Sequence, residues 1–232
     1  MIKIKKYLSA AWPSPCILCG GRGDDNLGVC APCLTDLPWL GHTCFTCARP
    51  VLFAVARCGT CLSVPPPYFR TVALFAYQDV IARCLTLLKF HKHLVMGRVF
   101  GRVLAKVIQQ QYEHDTLPQC IIPMPLHETR LKERGFNQAL ELALPVAKQS
   151  GIGLDKTSCR RIKQTLPQTQ TTTVEERINN VKGAFEVSAL GVAQVAIVDD
   201  VVTTTATVSA LAQALLKSGV GRVDVWCCAR TA

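Results

Sequence analysis

Little in this chain is charged or aromatic: 18% of its 232 residues are Asp, Glu, Lys or Arg, and 6% are Phe, Trp or Tyr. With 49% apolar residues this scarcity of charge excludes a disordered chain, which cannot bury enough apolar surface to fold. Long apolar runs are missing too. None approaches the roughly 18 residues needed to cross a bilayer, so no membrane insertion is expected. The first dozen residues carry Lys3, Lys5 and Lys6 but no apolar core before Pro13. A secretory leader is therefore not expected, and a cytoplasmic location is. Acids are the scarcer charge, 16 against 26 Lys and Arg, for a formal net charge of +10. Most of that excess follows residue 70, which places a basic partner surface on the larger part of the chain.

Cysteine is abundant. Cys16, Cys19, Cys30 and Cys33 form two C-x-x-C pairs, and Cys44, Cys47, Cys58 and Cys61 repeat all four positions 28 residues later. A C-x-x-C turn presents two sulfurs from one knuckle, and two knuckles complete a tetrahedral zinc site. Disulfides, a redox pair or an iron–sulfur cluster would suit a single C-x-x-C, whereas four in register indicate about two structural Zn²⁺. The shared spacing favours sequential sites, with a crossed pairing as the alternative. Cys84, Cys120, Cys159, Cys227 and Cys228 lie among apolar residues and read as core side chains.

Val64-Pro65-Pro66-Pro67 divides the chain, giving a zinc module at 1–67 and a second domain at 68–232. Beyond the prolines, strand and helix patterns alternate. Strands are expected at Thr71–Tyr77, Cys120–Ile122, Val195–Val198 and Arg222–Cys228. Helices are expected at Ile81–Gln111 with a break near Gly97, at Leu131–Gln149 with a break at Pro145, and at Thr207–Lys217. That order specifies an α/β fold, a parallel sheet flanked by crossover helices.

Val195–Val198 runs into Asp199 and Asp200, and then into Val201-Val202-Thr203-Thr204-Thr205-Ala206-Thr207 at the start of a helix. Loop amides, hydroxyls and a helix N-terminus favour a phosphate. Acids at a strand's carboxyl end can hold ribose hydroxyls and Mg²⁺, and there they are expected to face solvent. The plainer reading makes the acids turn residues and the threonines an N-cap.

This segment resembles the phosphoribosyl-diphosphate signature of the type I phosphoribosyltransferases. The resemblance implies ribose on Asp199 and Asp200 and the 5′-phosphate on Thr203 to Thr207, with Mg²⁺ accompanying phosphoribosyl diphosphate. Thr205 departs from it, standing where the signature has glycine. A β-branched residue resists positive φ, so a reshaped loop is expected.

Over nearly the whole chain the sequence resembles the ComF family, ComFC and GntX-like proteins of competence and DNA utilisation. The resemblance is carried by the double C-x-x-C module, Leu87-Leu88-Lys89-Phe90, Ile122 to His127, and Arg130 to Gln138 with Arg134-Gly135-Phe136-Asn137-Gln138. It continues in Arg161, Lys163, Thr165 and Gln168, and in Arg177 and Asn180 to Phe185, which look like that family's mobile-loop region. The ending Val225 to Thr231 matches as well. It implies a role in DNA uptake or utilisation, binding of phosphoribosyl diphosphate and single-stranded DNA, and protein partners such as a helicase. The alternative is an active phosphoribosyltransferase passing ribosyl phosphate to a base or amine. Arg130 and Arg134, four apart on one helical face, suit a diphosphate, unless they only pair with Glu128 or Glu133. Residues 80–112 carry Lys89, Lys92, Arg98 and Arg102 with no acid, the stretch expected to hold single-stranded DNA. An ordinary amphipathic helix with Leu85, Leu88, Val95, Val99 and Val103 in the core explains it equally well.

Overall fold

The computed structural model describes residues 14–24, 26–164 and 179–231. Thr165, Gln168 and Arg177, quoted above for the family resemblance, lie outside the described residues. In the N-terminal part, two short helices, α1 (Ala31–Thr35) and α2 (Gly59–Ser63), each begin directly after a cysteine. The first four cysteines gather in one group and the second four in another. The pairing is therefore sequential. The two copies share their backbone hydrogen bonds, from Gly20 N–H to Cys16 C=O at 2.9 Å and from Ala48 N–H to Cys44 C=O at 2.8 Å.

The larger part is a five-stranded parallel sheet in the order β1 (Arg70–Ala76), β7 (Arg222–Arg230), β6 (Gln194–Val202), β2 (Cys120–Pro123), β3 (Gly153–Leu154). Helices α3 (Asp79–His91), α4 (Leu94–Gln111), α5 (Glu128–Arg134), α6 (Gln138–Ser150) and α7 (Ala206–Lys217) connect and flank it. A small antiparallel pair, β4 (Cys159–Arg161) and β5 (Phe185–Val187), lies outside the sheet. The central strands are apolar on both faces, because helices cover both. Ala196, Val198, Trp226 and Cys228 enter the core with α3, α4 and α6, while Val195, Ile197, Val225 and Cys227 enter the core with α7. The five cysteines expected in the core are all buried.

Two expected breaks fall elsewhere. The first long helix breaks at Lys92, which takes a left-handed conformation after α3, and not at Gly97. A Cβ on Gly97 would meet the Cβ of Glu141, and one on Gly101 the carbonyl of Leu142, so both glycines let α4 approach α6 closely. The second breaks at Gly135, left-handed at φ 80°, while Pro145 lies within α6. Val181, Ala184 and Phe185, expected in a mobile loop, are buried in the core beside α7.

The ribbon part is fastened to the sheet edge. Trp39 bridges Phe75 of β1, and the N–H of Leu40 donates to the Leu74 carbonyl at 2.9 Å. Thr71 donates from its hydroxyl to the Thr46 carbonyl at 2.8 Å. At the amino end of the sheet, Asp224 is wholly buried and accepts hydrogen bonds from Tyr112 and Arg222 at 2.6 and 3.0 Å. That cluster satisfies its own charges and lies away from the carboxyl ends of the strands.

Candidate functional site

Between β2 and β6 the connections leave in opposite directions, since β2 leads outward to β3 and β6 leads back to β7. Ligand crevices in open α/β sheets form at the carboxyl ends of such strands. A cleft of about 360 Å³ opens there, lined from six directions by Tyr77 after β1, Lys89 of α3, Arg130 and Arg134 of α5, Gln138 of α6, Arg161 of β4 and Asp199 to Val202 of β6 with Thr203 just beyond. Thr205 and Thr207 also line it; Thr204 and Ala206 do not. The Thr204 hydroxyl is buried without a hydrogen-bond partner among the described residues, and Ala206 is buried at the start of α7.

Contrary to the expectation from sequence, the acids do not face solvent. β6 continues through them to Val202, which leaves Asp199 8% and Asp200 3% exposed. Asp200 forms an ion pair with Lys89 through Oδ2 and accepts from Gln138 Nε2 at 3.2 Å through Oδ1. Burial acts to raise the Asp200 carboxyl, but the charge and hydrogen bond of Lys89 outweigh it and hold the group below its ordinary value. Asp199 goes the other way. Burial first, and then the charge of Asp200, raise it well above the usual carboxylate range.

The Arg134-to-Gln138 run has a physical part for each residue. Arg134 faces the cleft and donates to Gln138, and Phe136 packs on the core. Gly135 ends α5. Asn137 caps α6 by accepting from Ala139 N–H at 2.9 Å, and its amide donates to the Met124 carbonyl at 3.0 Å. One short motif thus fixes the β2 loop, aims an arginine and supplies a partner for Asp200. Arg130 joins Arg134 in the cleft and forms no ion pair among the described residues; Glu128 pairs instead with Lys132.

Thr205 keeps the glycine-like turn. It sits at φ 66° directly before α7, so the β-branched residue takes the left-handed conformation that a glycine there would favour.

The residues expected to hold DNA are scattered. Lys89 lies in the cleft, and Arg98 pairs with Glu141 at 3.3 Å. Arg102 donates to the Asn26 carbonyl at 2.8 Å, and Lys92 is exposed at the turn after α3. The stretch lacks acids along the chain but meets them in space. Arg161, read from the sequence only as part of a loop, lines the cleft, as does Gln138. Phe90 stands at the rim, 70% exposed, with Arg134 at 5.7 Å from its ring.

The two cysteine groups fit Zn²⁺. Zn–S bonds of about 2.3 Å in a tetrahedron require S···S edges of about 3.8 Å. Cys19 and Cys30 are 3.8 Å apart, Cys47 and Cys58 3.8 Å, and Cys44 and Cys61 4.0 Å. The N–H of Cys58 points at Cys44 Sγ at 3.2 Å, the amide contact that steadies a thiolate. Mg²⁺ on the acid pair fits poorly. Such an ion demands open oxygens in octahedral array, and Lys89 and Gln138 already engage both oxygens of Asp200.

Residues 7–62 match the double zinc ribbon domain family. The whole chain is similar to DNA utilization protein YhgH of Salmonella typhimurium, 33% identical over 208 residues that make up 88% of this chain and 91% of that one. Competence protein F of Haemophilus influenzae is 29% identical, covering 93% and 96% of the two chains. Competence protein ComFC of Bacillus subtilis is 28% identical over 82% and 79%. With its double zinc ribbon, its parallel sheet and this likeness along most of its length, the chain belongs to the ComF family of competence and DNA utilization proteins.

Proposed function

We propose that the protein serves DNA uptake or utilisation, and that its cleft binds phosphoribosyl diphosphate. One observation carries the second part: Lys89, Arg130, Arg134 and Arg161 line a single cleft with the two acids and the threonine turn that opens α7. The turn's amides and hydroxyls suit a terminal phosphate, the acids suit ribose hydroxyls, and the arginines suit a diphosphate. Mg²⁺ belongs in this reading to the diphosphate that chelates it and takes no protein carboxylate. Single-stranded DNA is the macromolecular partner, in keeping with the names of the relatives and the net charge of +10. Exposed Lys92, Arg98 and Lys106 supply backbone contacts, and the exposed ring of Phe90 offers a face on which a base can stack. Protein partners such as a helicase follow from the same role.

Transfer of ribosyl phosphate to a base or amine is the second reading. It is favoured by Phe90 at the cleft rim, a face for a planar acceptor next to the diphosphate arginines. Calorimetric titration of phosphoribosyl diphosphate into the zinc-loaded protein tests the cleft. Arg130→Ala with Arg134→Ala should weaken binding at least about tenfold, the loss of one strong charged contact or more. Equal affinity in wild type and double variant would remove the arginines from the site.

A further inference from the structure

We propose that the ammonium of Lys89 holds the cation position of the acid pair, so that Asp199 and Asp200 meet a phosphorylated pentose with no divalent ion on them. The inference rests on the pentose-phosphate reading of the cleft. Lys89 reaches in from the last turn of α3 and pairs with Asp200 Oδ2, while Gln138 occupies Oδ1 at 3.2 Å. Asp199 Oδ1 accepts the N–H of Asp200 at 2.9 Å. Three of the four carboxylate oxygens are thereby engaged by protein donors. Both acids are buried, so an ion seated on them would have to shed most of the waters that Mg²⁺ or Mn²⁺ keeps.

Charge points the same way. Among the described residues, Lys89, Arg130, Arg134 and Arg161 share the cleft with only these two carboxylates. A free dication entering there meets a site that is already cationic, whereas an anionic ligand meets one prepared for it. A lysine differs from a bound metal ion in one useful respect: it stays when the ligand leaves, and it can donate directly to a ribose hydroxyl or phosphate oxygen.

The test uses Mn²⁺ alone as the probe, followed by electron paramagnetic resonance on the full zinc-loaded chain. Wild type should bind no Mn²⁺ at the acids. Lys89→Met, which frees Asp200, should gain a Mn²⁺ site at least about tenfold tighter than any in wild type, and adding Asp200→Asn should abolish it. Lys89→Ala likewise frees Asp200 and serves if the methionine variant does not fold. A wild-type Mn²⁺ site that Asp200→Asn removes would overturn the proposal. So would the absence of a new site in both Lys89 variants, because the lysine would then be only a structural counter-ion. Ribose 5-phosphate supplies the second arm. With the zinc retained, its affinity should be the same with and without added Mn²⁺ in wild type and should become Mn²⁺-dependent in Lys89→Met. Failure of ribose 5-phosphate to bind wild type would defeat the pentose reading, while the Mn²⁺ result alone still decides the role of Lys89.

Discussion

Arg230 donates from Nε to the backbone carbonyl of Cys47 at 2.9 Å, across the boundary between the second zinc knuckle and the sheet. The same guanidinium donates from Nη1 to the Val202 carbonyl at 3.1 Å and to the carbonyl of Thr203, at the root of the phosphate turn. Arg230 is 1% exposed, so these carbonyls have no water to turn to if it is removed. A residue at the end of β7 therefore ties a zinc ligand's backbone to the loop beside the two acids.

Arg230→Met should cost about 3 kcal/mol of stability, since several buried carbonyls lose a charged donor together. Zinc removal should be felt along the same link. Hydrogen exchange should show that chelation loosens the amides of residues 203–207 as well as those of the ribbon, while β2 and β3 stay protected. Intact protection of 203–207 after chelation would show that Cys47 and the turn are not coupled. Elemental analysis should give about two zinc ions per chain.

Thr205→Gly should stabilise the protein by about 1 kcal/mol in denaturant melts, because a left-handed β-branched residue at φ 66° is relieved. Thr205→Ala, which keeps a Cβ, should give little of that gain. Equal effects of the two substitutions would assign the change to the lost hydroxyl and not to the backbone.

The two adjacent acids should respond oppositely to the same substitution. Asp199 is raised, so its contribution to stability is full below the ordinary carboxylate range and is lost as pH rises toward its folded value. Asp199→Asn should therefore raise the melting temperature at neutral pH and remove that loss. Asp200 is lowered, so its contribution is present at neutral pH and disappears only as the solution becomes more acidic than the ordinary value near 3.8. Asp200→Asn should destabilise by about 3 kcal/mol, leaving the Lys89 charge without its partner. Melting curves of both variants from acidic to neutral pH check the pair of signs.

The sequence was most legible where chemistry repeats along it. Eight cysteines at one spacing gave both zinc groups and favoured the sequential pairing, and the run from Val195 to Thr207 marked the turn at the carboxyl end of β6. Legibility failed where contacts join distant segments. Lys89 stands among basic residues in the chain, and only folding brings α3 against Asp200. Gly97 looked like a breaker because its sequence neighbours do not reveal that α6 passes against it. The acids seemed exposed because a polar pair usually marks the end of a strand, yet β6 runs three residues past Asp199. Arg230 belongs to the family-like ending, but its role is not readable there, because its partners, Cys47 and Val202, are remote from it in the chain.

The cleft assignment is tested most directly by a crystal structure of the zinc-loaded protein soaked with phosphoribosyl diphosphate. The account predicts the 5′-phosphate on the amides of the Thr203–Thr207 turn, the ribose beside Asp199, and the diphosphate on Arg130 and Arg134. Diphosphate held on the opposite face of the sheet, or a cleft left without ligand at saturating concentration, would contradict it.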